Sequence, residues 1–111
     1  MKKFNLLLTL LILGAVLAAC SSPNQEAAPA STDPGEVQRG QEIYQESCSS
    51  CHGPNREGLS GPSLLPAELD QGRSTYFNII ENGSGAMPAW GDTYSESEIN
   101  AVIDYLFSSP Q

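Results

Sequence analysis

Histidine, methionine and cysteine are scarce in this 111-residue chain, and positive charge is scarcer still once the first residues are passed. It holds 1 His, 3 Cys and 2 Met. A single imidazole cannot build a multi-histidine metal centre, and no second histidine is there to act as acid/base partner in peroxide chemistry. Lysine occurs only at Lys2 and Lys3. The other fixed cations are Arg39, Arg56 and Arg73 against 13 carboxylates, for a formal net charge of -8. That balance argues against nucleic acid and against electrostatic docking on anionic lipid, and it favours a partner with a basic patch or simple solubility. Apolar residues concentrate at the start of the chain, so the remainder makes one small domain whose core needs a staple.

The motif that stands out is Cys48-Ser49-Ser50-Cys51-His52. Two thiols separated by two residues, with a histidine directly after, form the attachment signature of c-type haem. Each thiol can add across one porphyrin vinyl group, and a short helical turn sets the two sulfurs at the required separation. The next residue then offers its imidazole to the iron as proximal ligand. A thioredoxin-like redox pair wants a βαβ context, which is missing. A zinc site wants two further ligands at short spacing, and the third cysteine, Cys20, lies far off towards the N-terminus. A disulfide across two residues leaves His52 without a role. Cys48 and Cys51 are therefore expected to be thioether links to one covalent haem c, and His52 an axial iron ligand.

The chain opens with Met1-Lys2-Lys3 and then runs apolar to Ala19, interrupted by Asn5, Thr9 and Gly14. A basic start, a short apolar stretch and a small-residue end read as a secretory signal. The run is short for a membrane span, which needs about 20 apolar residues. Leu17-Ala18-Ala19-Cys20 resembles the bacterial lipobox, so residues 1–19 are expected to be a lipoprotein signal peptide and Cys20 the lipidated residue. Residues 20–32 are small and polar and read as a flexible linker, with a reach of roughly 20 Å on average and about 40 Å at full stretch. The haem domain is expected over residues 33–111, outside the cytoplasm on a lipid anchor.

Asp33-Pro34-Gly35-Glu36 is a helix-start signal. A helix is expected from Pro34 to Ser47, with Val37, Gly40, Ile43 and Tyr44 on its apolar face. A glycine in mid-helix costs about 1 kcal/mol against alanine, which is easiest to understand if another helix crosses at Gly40. Residues 53–70 are rich in Gly, Pro and Ser and predict turns, with a short helical turn after Pro66. This loop offers the Pro62 carbonyl to the second ring nitrogen of His52, and Leu64 and Leu65 to close on the porphyrin. A second helix is expected over residues 75–82, capped by Ser74 and stopped by Gly83 in an αL conformation, with Phe77 and Ile80 inward.

Next comes a flexible loop, Gly83-Ser84-Gly85-Ala86-Met87-Pro88-Ala89-Trp90. Met1 leaves with a signal peptide, so Met87 remains as the soft donor for the sixth iron position, where a thioether raises the potential. The last helix has a capping box, Ser95-x-x-Glu98. Its stripe of Ile99, Val102, Ile103, Leu106 and Phe107 predicts core, with Val102 and Tyr105 lying on Gly40 and Tyr44. Pro110 is expected to end it. Tyr76 and Trp90 are read as packing residues.

In the order Gly40…Tyr44…Cys48-x-x-Cys51-His52, Gly61-Pro62-Ser63-Leu64, Met87-Pro88-Ala89-Trp90, Glu98-Ile99…Val102…Tyr105-Leu106, these pieces resemble small monohaem class I cytochromes c of the bacterial lipoprotein kind. The resemblance implies an all-α fold of three main helices around one haem, its N- and C-terminal helices crossing at Gly40, and Pro62 as the acceptor from His52. It implies a one-electron carrier rather than an enzyme, a monomer working between a quinol-oxidising complex or dehydrogenase and a terminal oxidase. A haem-based gas or redox sensor and a fixed subunit of a larger complex are the rival readings. One departure stands out. The ring of lysines that mitochondrial-type cytochromes present to partners has no counterpart after Lys3, so docking must rely on carboxylates, apolar contact or tethering.

Overall fold

The computed structural model describes residues 33–109; the expected signal segment, Cys20, the expected linker, Pro110 and Gln111 lie outside the described residues. Helix α1 spans Pro34–Ser47, as its start signal predicts. The Asp33 carboxylate accepts from the Gly35 backbone at 2.8 Å, and Pro34 occupies the first turn, where its missing N–H costs nothing. After a break at Cys48, the single turn α2 covers Ser49–His52. A 3-10 turn forms at Pro66–Glu68, then α3 over Arg73–Asn82 and α4 over Glu96–Phe107. The protein is all-α, with three main helices and its N- and C-terminal helices in contact.

Two helix ends depart from expectation. Helix α3 begins two residues before the predicted start, on Gly72, and no side chain caps it. Ser74 lies inside the first turn. Gly83 does end α3 at positive φ, but its ψ of 169° is extended, not αL. The capping box of α4 is complete: Ser95 Oγ accepts from the Glu98 backbone, and Glu98 accepts from the Ser95 backbone at 3.0 Å.

The core is Ile43 and Tyr44 from α1, Phe77 and Ile80 from α3, and Ile99, Val102, Ile103, Tyr105 and Leu106 from α4. At the α1–α4 contact a Cβ added to Gly40 would overlap the carbonyl of Ala101, with the Val102 nitrogen 2.9 Å away. The sequence stripe names Val102 for this contact but not Ala101, whose small side chain is 1% exposed and lets the two backbones meet. Tyr105 packs on Tyr44 with its ring tilted by 54°, centroids 5.3 Å apart. Phe107, expected in the core, is 37% exposed. It falls at the last turn of α4, where it meets Tyr76 edge-on, 5.9 Å between centroids, and carries the Arg73 guanidinium 5.4 Å from its ring centroid.

The three arginines of the described residues all bind α4. Arg39 on α1 donates to Glu98 at 2.8 Å, Arg73 on α3 donates to the buried Asp104, and Arg56 donates to carbonyls at its C-terminal end. Glu98 is held below the usual carboxylate range, first by the hydrogen bond from Arg39 and then by the Ser95 backbone. A carboxylate with a lowered folded pKa contributes stability that is present above its unfolded pKa and is lost as pH falls through the folded value. Glu98→Gln is therefore expected to flatten the acid limb of a thermal-unfolding series taken from about pH 6 to about pH 3. An acid limb as steep as that of the wild type would rule Glu98 out as a source of that dependence.

Candidate haem-binding site

The Cys48–His52 segment follows directly on α1 and is held by the carbonyls of its last turn, with two α1 side chains fixing the residues just beyond. The Cys48 N–H donates to the Tyr44 carbonyl at 2.9 Å, and Ser49 Oγ donates to the Gln45 carbonyl at 2.7 Å. Where the chain leaves the turn, the buried Tyr44 hydroxyl donates to the Gly53 carbonyl at 2.6 Å and the Gln45 side-chain amide donates to the Pro54 carbonyl at 2.7 Å. Burial holds the Tyr44 phenol above its ordinary range, so it remains a donor across physiological pH. Both thiols are unbridged, Cys48 half-buried and Cys51 exposed. Burial, with a smaller contribution from Cys51, pushes the Cys48 thiol up to about 11, so it is protonated at neutral pH.

His52 is 8% exposed, and its Nδ1–H donates to the Pro62 carbonyl at 2.8 Å, the partner expected from the sequence. That bond fixes the tautomer. In the neutral ring the proton then sits on Nδ1, which leaves the Nε2 lone pair for a metal. The loop is folded back to make this possible: Gly58 N donates to the His52 carbonyl at 2.7 Å, and Gly61 N donates to the Cys51 carbonyl at 2.8 Å. Gly61 also presses on the imidazole, since a Cβ there would lie 2.9 Å from His52 Cε1. This role of Gly61 is absent from the sequence expectations, although a glycine next to the predicted ligand's acceptor is an available signal. The role of Arg56 is absent from them too.

Met87 stands in a loop that is tied down on both sides, not the flexible segment that its glycines suggest. Ser84 and Met87 exchange both backbone hydrogen bonds, at 3.1 and 3.0 Å. Trp90 N donates to the Ile80 carbonyl at 2.9 Å and Gly91 N to the Glu81 carbonyl at 3.0 Å, stapling the loop onto the end of α3. Met87, Leu64, Leu69, Tyr76 and Trp90 are half-buried and pack against the core. Trp90 lies tilted against Tyr94, 5.9 Å between centroids, and the Tyr76 hydroxyl donates to Asp70 at 3.4 Å.

These residues fit a c-type haem. Two free thiols sit on one helical turn, an imidazole is held through its Nδ1, and a thioether stands on a fixed loop. Half-buried apolar side chains border the core, ready to cover a flat apolar plate. Among the described residues no group of three or more His, Cys, Asp or Glu could hold another metal ion.

Comparison with known proteins gives the same answer. The family described as cytochrome c oxidase, cbb3-type, subunit III, matches residues 35–106. The chain is 37% identical over 91 residues to cytochrome c-551 of Bacillus subtilis, covering 78% of this chain and 80% of that protein. It is 33% identical over 102 residues to chloroplastic cytochrome c6 of Chlamydomonas reinhardtii, covering 86% and 69% respectively. The fold is similar to that of cytochrome c6 from the diatom Phaeodactylum tricornutum, with TM-score 0.57 and 28% identity, covering 64% of this chain and 90% of that one. With the fold, the attachment motif and these relatives in agreement, the chain belongs to the small monohaem class I cytochromes c, electron carriers with one covalent haem c.

Proposed function

We propose that this protein is a membrane-tethered one-electron carrier with a His52/Met87-ligated haem. The observation that carries the reading is the tautomer of His52: its Nδ1–H is committed to the Pro62 carbonyl at 2.8 Å, so Nε2 is the coordinating atom. Cys48 and Cys51 would supply the two thioether links, and His52 and Met87 the nitrogen and sulfur ligands to the iron. Bound there, haem supplies an iron centre that accepts and returns one electron. The protein's part is to hold both ligands in place in either oxidation state, and the bonds fixing His52 and Met87 serve that end. Ligation by both His52 and Met87 would leave the iron without a position for a substrate. A thioether ligand favours ferrous iron and raises the potential.

The tether is Cys20 with its lipid, and the polar linker over residues 20–32 lets the domain swing between neighbours outside the cytoplasm, as a monomer. Donor and acceptor are a quinol-oxidising complex or dehydrogenase and a terminal oxidase. The acidic surface, on which the described arginines are all engaged with α4, favours partners with a basic patch. A fixed subunit of an oxidase is a second reading, favoured by the description of the matching family.

A potentiometric titration of the full-length haem-loaded protein, with CO added to the reduced form, tests the carrier. The expected result is one single-electron wave at positive potential, no spectral change with CO, and haem that stays on the polypeptide in a denaturing gel. CO binding by the wild type overturns it in favour of a sensor. Cys20→Ser is expected to release the protein from the membrane fraction, and a variant that stays membrane-bound removes the lipid from the proposal.

A further inference from the structure

Arg56 belongs to the loop that carries Pro62, yet its side chain leaves that loop for the end of α4. The residue is 3% exposed. Its φ of 68° makes it the one non-glycine residue in the left-handed region among the described residues. Nη1 donates to the carbonyls of Tyr105 at 2.8 Å, Leu106 at 3.3 Å and Ser108 at 3.2 Å. The guanidinium carbon stands 4.5 Å from the centroid of the Tyr105 ring. A left-handed backbone is unfavourable for a residue with a Cβ, so something outside the loop must hold it, and that is the anchorage of the guanidinium under α4.

The backbone of Arg56 passes this anchorage on. Its carbonyl accepts from Leu64 N at 2.8 Å and from Ser63 Oγ at 3.2 Å. Ser63 and Leu64 directly follow Pro62, whose carbonyl takes the His52 Nδ1–H. We propose that Arg56 is a positioning residue for His52: by tying the loop to the C-terminal end of α4 it sets the strength of the His52–Pro62 hydrogen bond. This rests on His52 being the axial ligand proposed above. A firm bond to Nδ1–H makes the imidazole a more electron-rich ligand and favours ferric iron. Loosening it favours ferrous iron and raises the potential.

The test uses full-length, haem-loaded protein and two readouts, the midpoint potential and the His52 ring N–H resonance of the reduced form. Arg56→Gly keeps the left-handed turn at no steric cost and removes the anchor. Arg56→Lys keeps the charge but loses the planar fork. Arg39→Ala is the control, since it removes another arginine contact to α4, at Glu98, far in sequence from Pro62.

Both Arg56 variants are expected to raise the potential, shift the N–H resonance and speed its exchange with solvent at least tenfold. Arg39→Ala is expected to leave all three at wild-type values. Arg56 variants that are less stable but unchanged in potential and resonance overturn the proposal and reduce Arg56 to a helix cap. Should Arg56→Gly fail to take up haem, Arg56→Lys decides on the same readouts. A wild-type protein whose spectra show no histidine ligand refutes the functional reading itself and this proposal with it; unchanged variants with the histidine in place refute only the role of Arg56.

Discussion

Replacing Gly40 with alanine is expected to lower the stability of the haem-loaded protein by about 3 kcal/mol or more. Overpacking a core typically costs 1–3 kcal/mol because side chains can move to new rotamers. Here a Cβ meets backbone on the other side, the Ala101 carbonyl carbon and oxygen and the Val102 nitrogen, which have no rotamers to change. Relief requires α1 and α4 to move apart, and that loosens Tyr44 from Tyr105 and opens the core between Ile43 and Val102. The gain in helix propensity returns only about 1 kcal/mol. For a domain of this size each kcal/mol is worth about 4–8 °C in melting temperature, so a fall of at least about 12 °C is expected by calorimetry. Gly85→Ala is the comparison: it too adds a Cβ, but nothing lies within 4 Å of it, and only its φ of 59° resists the change. Equal melting temperatures for the two variants would sink the close-contact explanation.

Met87→Ala is expected to lower the midpoint potential by on the order of 0.2 V, a fraction of the roughly 0.8 V over which axial ligands set haem potentials. The same variant is expected to bind CO once reduced. The fold should survive, because Met87 is half-buried at the border of the core and its loop is held by backbone bonds that alanine keeps. Met87→His separates ligand loss from a local rearrangement. It restores a side chain able to coordinate and is expected to refuse CO while keeping a low potential. If the potential of the alanine variant stays at the wild-type value, Met87 is not the ligand.

The features legible in the sequence are those that short-range chemistry writes. Asp33-Pro34 and Ser95…Glu98 announce their helices because each cap bonds within its own turn. Cys48, Cys51 and His52 are readable because attachment demands that spacing. Gly40 is readable through its cost, since a mid-helix glycine without a close neighbour has no compensation. Ser74 misleads for the same local reason. It is a good capping residue, but α3 starts at Gly72 with no side-chain cap at all. Arg56 is illegible because its partners lie 49 to 52 residues away, and an arginine in a glycine-rich loop looks like solvent-facing charge. The Arg73–Asp104 pair is hidden similarly, as an exposed-looking charge on each of two helices.

The contact at Gly40 also ties the two ends of the domain to each other. It joins the first and the last long helix of the domain, so the chain cannot complete its core until α4 has arrived. Until then Tyr44 lacks Tyr105 above it, Arg56 has no carbonyls to grip, and the loop that buries His52 has nothing to pull against. The segment that carries the two thiols and the imidazole is thus braced, through Arg56 and its loop, by the helix that lies farthest from it in sequence.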